Sequence, residues 1–222
     1  MGDIYFNSSS LSSGKVKLNG TEMANVYFNG SLIWTYAQYI TATGGTITTD
    51  GDYKVHRFTG SGTFQVTSAG NAAGSNSVDY LVVAGGGYSS GAGGWPGTGG
   101  GGAGGYRTSY GSGSISGGNS AVESAYSVSA QSYTITVGGA YSNSSALGIT
   151  STRGGYAGYS GQNGQSGGSG GGGGYSSNTG GAGTAGQGTA GSSGSMSPEG
   201  NGQGGGASSS AGAGFYSAIT GA

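Results

Sequence analysis

The stretch GYAGYSGQNGQSGGSGGG, residues 155–172, places glycine at every third position. The same spacing continues to residue 173 and recurs in shorter runs at 91–100, 180–186 and 188–194. The residues between these glycines are mostly small and polar. Whatever these segments fold into, its interior must be built almost without large side chains.

The rest of the composition restricts the chemistry and the partners that are expected of this protein. The 222 residues include 58 Gly, 2 Pro and no Cys, so disulfides and thiolate chemistry are excluded. Charged residues make up 6% and the formal net charge is −1. We therefore expect no nucleic-acid partner. No run approaches the ~20 apolar residues that span a bilayer, so no membrane insertion is expected.

Three structures compete for residues 154–222: a flexible coil, a silk-like aggregate and ordered polyglycine. A Gly/Ser tract is normally flexible, but the three-residue spacing favours order. A polyproline II helix has three residues per turn, so it would present one bare edge of glycine to a neighbouring backbone. We predict a polyglycine II helix bundle over 151–222, with turns at 175–179 and 195–199 and one reversal within 155–173.

The N-terminal part reads as a small hairpin module, residues 1–38. Two similar pieces, VKLNG (16–20) and VYFNG (26–30), both end in Asn-Gly, which favours the type I′ hairpin turn. So small a module buries little surface alone. Leu32, Ile33 and Trp34 are candidates for contacting the next domain or a partner.

Residues 39–150 alternate short strand patterns with turn residues and contain no convincing helical pattern. Strands are predicted at 45–48, 53–58, 63–67, 78–87, 133–139 and 145–150, of which 78–87 reads as a buried central strand. We predict an antiparallel β-sandwich that is interrupted by a glycine-rich insertion at 84–125. The fold class is therefore all-β.

The sequence contains no recognisable arrangement of catalytic or metal-binding residues. The only histidine, His56, lies on a predicted strand and is interpreted as a surface residue. The carboxylates are scattered, and Asp50 and Asp52 flank Gly51 as turn residues do. The sequence thus predicts no enzyme, no cofactor and no metal.

The aromatic residues, 16 Tyr and 2 Trp, allow two interpretations. They either cover the sides and ends of the folded units or form a contact surface, since Tyr and Trp offer large area at low rotamer entropy. The candidates for receptor contact are Tyr88, Trp95, Tyr141, Tyr175 and Met196.

Over residues 40–222 the chain resembles the glycine-rich domain of bacteriophage tail-fibre and related virion proteins. The resemblance lies in five motifs in order: GGTITTDGDYKVHRFTGSGTFQV (44–66), VDYLVVAGGG (78–87), GGGGAGGYR (99–107), YTITVGG (133–139) and GGAGTAGQG (180–188). The Asn-Gly hairpin repeat also resembles small modules of phage tail proteins. The predicted bundle resembles the tip adhesins of T-even-like phages, whose polyglycine II rods carry loops that touch the host. No attachment segment of that family is matched here.

The resemblance implies a virion structural protein, made in the host cytoplasm, that acts as a tail-fibre or tail-tip adhesin without catalysis. Its partners would be other virion proteins, held through Leu32, Ile33 and Trp34, and a host polysaccharide or outer-membrane protein. Two alternatives remain open. One is a purely architectural part of the baseplate, collar or capsid decoration. The other is an ice-binding polyglycine II protein.

Overall fold

The computed structural model describes residues 17–18, 21–89, 98–111, 115–176 and 178–195, and this part of the chain is all-β. No described residue belongs to a helix, so none forms a helix that could cross a membrane. The first strands are β1 Lys17–Leu18, β2 Thr21–Glu22, β3 Asn25–Phe28, β4 Ser31–Thr35, β5 Ile40–Thr43, β6 Thr46–Asp50, β7 Tyr53–Arg57, β8 Gly62–Ala69 and β9 Ser77–Val78. They are followed by β10 Leu81–Val83, β11 Tyr106–Thr108, β12 Ile115–Ser116, β13 Ser120–Ala121, β14 Tyr126–Ser127, β15 Ser132–Ile135, β16 Ser144–Ala146 and β17 Ile149–Ser151. All pairings between these strands are antiparallel.

The predicted Asn-Gly hairpin is present between β3 and β4. Asn29 and Gly30 have φ angles of 50° and 80°, the left-handed pair that a type I′ turn requires. The equivalent residues 19–20, between the paired strands β1 and β2, lie outside the described residues.

The hydrophobic core lies around a three-stranded sheet of order β15-β8-β5. Side chains alternate along β8, so that Phe64 and Val66 are buried while their neighbours are more exposed, as expected of a strand with one covered face. The buried members of the core are Phe64, Val66, Tyr80, Val82, Val128, Tyr133, Ile135 and Leu147. They come from β8, β10 and β15, which belong to two of the sheets, and from the segments that join strands. Together with the partly buried side chains packed against them, they form one core that extends from Ile40 to Ile149.

The predicted central strand 78–87 is wrong as a single element. Its apolar run is divided between β9, which pairs with β14, and β10, which pairs with β11. Between them the Tyr80 N–H donates to the Ser109 Oγ at 3.0 Å. A side chain therefore accepts this backbone hydrogen bond in place of a carbonyl of a neighbouring strand. Strand β11 lies inside the predicted insertion 84–125, which is therefore part of the sheet structure as well as a glycine-rich excursion.

The single strand predicted at 145–150 is a hairpin, β16–β17. Leu147 and Gly148 form its turn with φ angles of 55° and 75°. A positive φ is unfavourable for leucine, but this side chain is only 6% exposed and belongs to the core. Burial of the side chain therefore holds the backbone in a conformation that local preference does not predict.

The glycine-rich segments have almost no strand pairing and are held by lateral backbone hydrogen bonds. Donors three residues apart reach acceptors three residues apart. The N–H groups of Gly99, Gly102 and Gly105 donate to the carbonyls of Gly158, Gly155 and Thr152, those of Gly164 and Gly167 to Thr179 and Ala182, and those of Gly170 and Gly173 to Thr189 and Ser192. The three-residue spacing of the sequence thus reappears as the spacing of the contacts.

These segments approach one another more closely than side chains allow. A Cβ added to Gly171 would lie 1.8 Å from the carbonyl oxygen of Tyr156. The chain turns at 160–161 and at 175–176, which agrees with the predicted reversal within 155–173 and the predicted turn at 175–179. The predicted turn at 195–199 lies outside the described residues, apart from residue 195.

Candidate functional site

Three tyrosines from separate parts of the chain meet beside the glycine-rich segments. Tyr88 follows β10, Tyr141 lies between β15 and β16, and Tyr156 follows β17. The ring centroids of Tyr88 and Tyr156 are 5.7 Å apart and stacked, those of Tyr88 and Tyr141 are 6.2 Å apart, and those of Tyr141 and Tyr156 are 3.7 Å apart. We call Tyr88, Tyr141 and Tyr156 the tyrosine cluster.

Backbone hydrogen bonds fix each tyrosine of the cluster. The Tyr141 N–H donates to the Gly86 carbonyl at 2.8 Å, and the Tyr88 carbonyl accepts from the Ala157 N–H at 3.1 Å. The Tyr156 carbonyl accepts from the Gln165 N–H at 2.8 Å. Since the rings stand on an ordered backbone, a ligand would bind them with little further loss of conformational freedom.

Close backbone approach makes this arrangement possible. A Cβ on Gly87 would lie 2.0 Å from the carbonyl oxygen of Gly155, so only glycine lets the segments of Tyr88 and Tyr156 meet. Tyr141 itself has a φ of 57°. Non-glycine residues with such a backbone conformation concentrate at functional sites.

The cluster is partly open to solvent. Tyr88 is 50% exposed and the nearby Tyr159 is 56% exposed, while Tyr141 and Tyr156 are half-buried. Burial, and then the neighbouring tyrosines, raise the pKa of the Tyr156 hydroxyl above its usual value. This hydroxyl is therefore neutral at physiological pH and can both donate and accept a hydrogen bond.

One cation belongs to the same surface. The guanidinium carbon of Arg153 lies 3.5 Å from the centroid of the Tyr141 ring, in the range of a cation–π interaction. Flat rings, neutral hydroxyls and one positive charge can hold a ligand by stacking and hydrogen bonding. They contain no nucleophile–base pair of the kind that covalent catalysis needs.

A second polar location includes Arg107 of β11. A shallow depression of about 410 Å³ is lined by Arg107, Ser120, Ala121, Glu123, Ala185, Gly186 and Gln187. The Arg107 Nε donates to the Glu123 Oε1 at 2.7 Å, and the Tyr80 hydroxyl donates to the Glu123 Oε2 at 2.7 Å. The hydrogen bond from Arg107 is the main cause that lowers the pKa of Glu123, while burial is the main cause that raises the pKa of Tyr80. These groups neutralise one another, so the depression offers no free charge.

The structure distributes the residues predicted to contact a receptor. Tyr88 and Tyr141 lie together in the tyrosine cluster. Tyr175 lies in the turn at 175–176, where its carbonyl accepts from the Gly161 N–H at 3.2 Å. Trp95 and Met196 lie outside the described residues.

The residues predicted for attachment lie on β4. Leu32 and Ile33 are 54% and 48% exposed, and Trp34 is half-buried with its ring centroid 6.4 Å from that of Tyr36. His56, interpreted as a surface residue, is half-buried: its Nδ1 lies 2.9 Å from the Gly44 carbonyl oxygen and its ring packs edge-on against Phe64.

Sequence reasoning missed the roles of Tyr156 and Arg153. Both flank the first glycines of the 155–173 run, and Arg153 is the last positive charge of the chain. Their position at the edge of the repeat was the available indication. Among the described residues, no group of three or more His, Asp or Glu side chains could hold a metal ion. No protein-family model matches the chain, and neither a curated protein nor a solved structure matches it.

Proposed function

We propose that the chain is a bacteriophage virion protein, a tail-fibre or tail-tip adhesin that binds the bacterial surface without catalysis. The observation that carries the proposal is the tyrosine cluster, a partly exposed group of three aromatic rings held by backbone hydrogen bonds. The protein is made in the host cytoplasm and becomes part of the virion.

The finer architecture in this proposal has two parts. The small sheets around the common core form a β-sandwich over 39–150, and the glycine-rich segments are polyglycine II helices. The three-residue step of the lateral hydrogen bonds supports the second part, because a threefold helix points every third N–H to the same side. The absence of room for a Cβ, as at Gly171, is expected of such packing.

A rigid aromatic surface suits adhesion. Tyrosine rings bury large area while losing little rotamer entropy, and the faces of sugar rings stack on them. Arg153 and Glu199 are the only charges from residue 153 to the end of the chain. Attraction through the aromatic rings depends little on ionic strength, whereas attraction between exposed charges is screened by salt.

The N-terminal hairpin supports attachment to other virion proteins. A two-stranded hairpin alone is marginally stable in water, yet β3–β4 exposes Tyr27 by 61% as well as Leu32 and Ile33. Covering these side chains in the particle would bury apolar surface, which favours association.

The test is competition for host cells by the soluble full-length chain. At saturation, the wild-type chain should block adsorption of the phage particles that carry it. The Tyr88→Ala variant should lose this effect. A matched control is Tyr53→Ala, which removes a tyrosine that is 67% exposed on the β6–β7 hairpin. If no competition occurs although antibodies detect the chain on the particle, the protein is an architectural component and the adhesin proposal fails.

A further inference from the structure

Arg153 is fixed beside the tyrosine cluster by its backbone. Its N–H donates to the Asn143 Oδ1 at 2.8 Å, and its carbonyl accepts from the Gly168 N–H at 2.7 Å. The loop that carries Tyr141 and the glycine-rich segment at 168 therefore both hold Arg153. Its guanidinium is placed against the ring of Tyr141 at 3.5 Å.

The charge of Arg153 has no counter-ion among the described residues. Its Nη1 is buried and has no hydrogen-bond partner. The only ion pair within the described part of the chain joins Arg107 to Glu123. A buried donor without an acceptor is destabilising, and more so when it is charged. The cation–π contact with Tyr141 stabilises the charge in part but supplies no hydrogen-bond acceptor in the plane of the guanidinium.

In the same protein, every guanidinium nitrogen of Arg107 has a hydrogen-bond acceptor. Its Nε donates to Glu123 at 2.7 Å, its Nη1 donates to the Thr150 carbonyl at 3.1 Å, and its Nη2 also binds Glu123. Arg153 is similarly half-buried, but its buried Nη1 has no acceptor. The ring of Tyr141 lies against the guanidinium of Arg153 but supplies no acceptor for Nη1, whereas an anion would.

We infer that the tyrosine cluster and Arg153 together bind an acidic saccharide, with the sugar on the exposed ring of Tyr88 and its anionic oxygens on the guanidinium. This rests on the proposed adhesin function and names the class of its ligand. Carboxylate and phosphate oxygens both match the fork of arginine, so a uronate and a phosphorylated sugar share the required chemistry. Because Arg153 is only half-buried, rotation about its terminal torsions brings Nη1 to the ligand while the backbone stays hydrogen-bonded.

The experiment titrates the full-length chain with three probes by calorimetry. They are trigalacturonate, its uncharged methyl ester, and a phosphorylated mannose trisaccharide of the same length. Wild type should bind at least one acidic probe at least tenfold more tightly than the ester, and which acidic probe binds distinguishes carboxylate from phosphate. Arg153→Gln should remove this preference, and Arg153→Lys should restore part of it. The control is Arg57→Gln, which removes an exposed arginine on β7 and should leave the affinities unchanged.

The outcomes separate this inference from the proposed function. Equal binding of acidic and neutral probes, with loss in Tyr88→Ala alone, overturns the acidic class but leaves adhesion intact. Failure of all three saccharides while the chain still blocks phage adsorption also overturns only the inference. Failure of both binding and adsorption block overturns the two together. If Arg153→Gln lowers the melting temperature markedly, the inference is judged from the wild-type chain alone. It stands if the wild-type chain binds an acidic probe at least tenfold more tightly than the ester, and it fails otherwise.

Discussion

Replacing Gly171 by alanine adds one methyl group at the centre of the glycine-rich segments. The Cβ would lie 1.8 Å from the carbonyl oxygen of Tyr156 and 2.9 Å from the amide nitrogen of Ala157. Non-bonded carbon and oxygen atoms ordinarily approach to about 3.3 Å. Segments 153–158 and 168–172 would therefore have to separate by roughly 1.5 Å.

Such a displacement breaks hydrogen bonds between the same two segments. The N–H groups of Gly155 and Gly158 donate to the carbonyls of Ser169 and Gly172, both at 2.8 Å. Each buried hydrogen bond that is broken costs about 1–3 kcal/mol, so the loss of these two bonds costs about 2–6 kcal/mol. Reduced freedom of the unfolded chain returns at most about 1 kcal/mol. The net destabilisation is about 1–5 kcal/mol.

Urea unfolding of the full chain measures this free energy. The matched control is Gly139→Ala, because a Cβ at Gly139 meets no atom within 4 Å and its φ is not positive. We expect the control to unfold at or slightly above the wild-type urea concentration. Equal midpoints for Gly171→Ala and Gly139→Ala would refute the reasoning that bare backbone contact holds these segments together.

The other predictions concern the sheets and one ion pair. Leu147→Ala should destabilise the protein by about 2–5 kcal/mol through a cavity in the core, measured by thermal unfolding; a change below 1 kcal/mol would mean that Leu147 is not packed as described. Gly30→Ala should cost about 1–2 kcal/mol from its left-handed φ alone, since its Cβ would meet nothing within 4 Å; faster amide exchange confined to β3 and β4 is the readout. Because its bond to Arg107 lowers the pKa of Glu123 in the folded state, the stability it provides is present above the unfolded pKa of about 4.3 and is lost as the pH falls through the folded value. Glu123→Gln should therefore reduce the fall in the urea midpoint between about pH 5 and pH 3, and an unchanged slope would contradict that assignment.

Much of the fold could be predicted from the conformational preferences of short stretches of sequence. The turn at Asn29–Gly30 follows from the dihedral angles that these two residues accept, and the alternating pattern around Phe64 and Val66 marks β8. Both depend on neighbours within a few residues, so no knowledge of the rest of the chain is needed. The three-residue glycine spacing likewise indicated lateral contact between segments.

Partners from distant parts of the chain account for the errors. The division of 78–87 depends on Ser109, which accepts the Tyr80 N–H from 29 residues away. The turn at Leu147 exists because the core buries that side chain, against its local preference. The tyrosine cluster combines three segments whose meeting depends on which glycines face which carbonyls, and this register is not written in any one segment.

The threefold step of the lateral hydrogen bonds constrains how this gene can change length. Deleting one residue between Gly164 and Gly173 would shift every later residue by one position relative to its hydrogen-bond partners and would place a side chain where only glycine fits against a neighbouring backbone. Deleting three residues would restore the register and remove one repeat of the lateral hydrogen bonds. Insertions and deletions in multiples of three amino acids should therefore be tolerated within the segments. Related proteins could therefore differ in whole loops while the three-residue spacing of their glycines is unchanged.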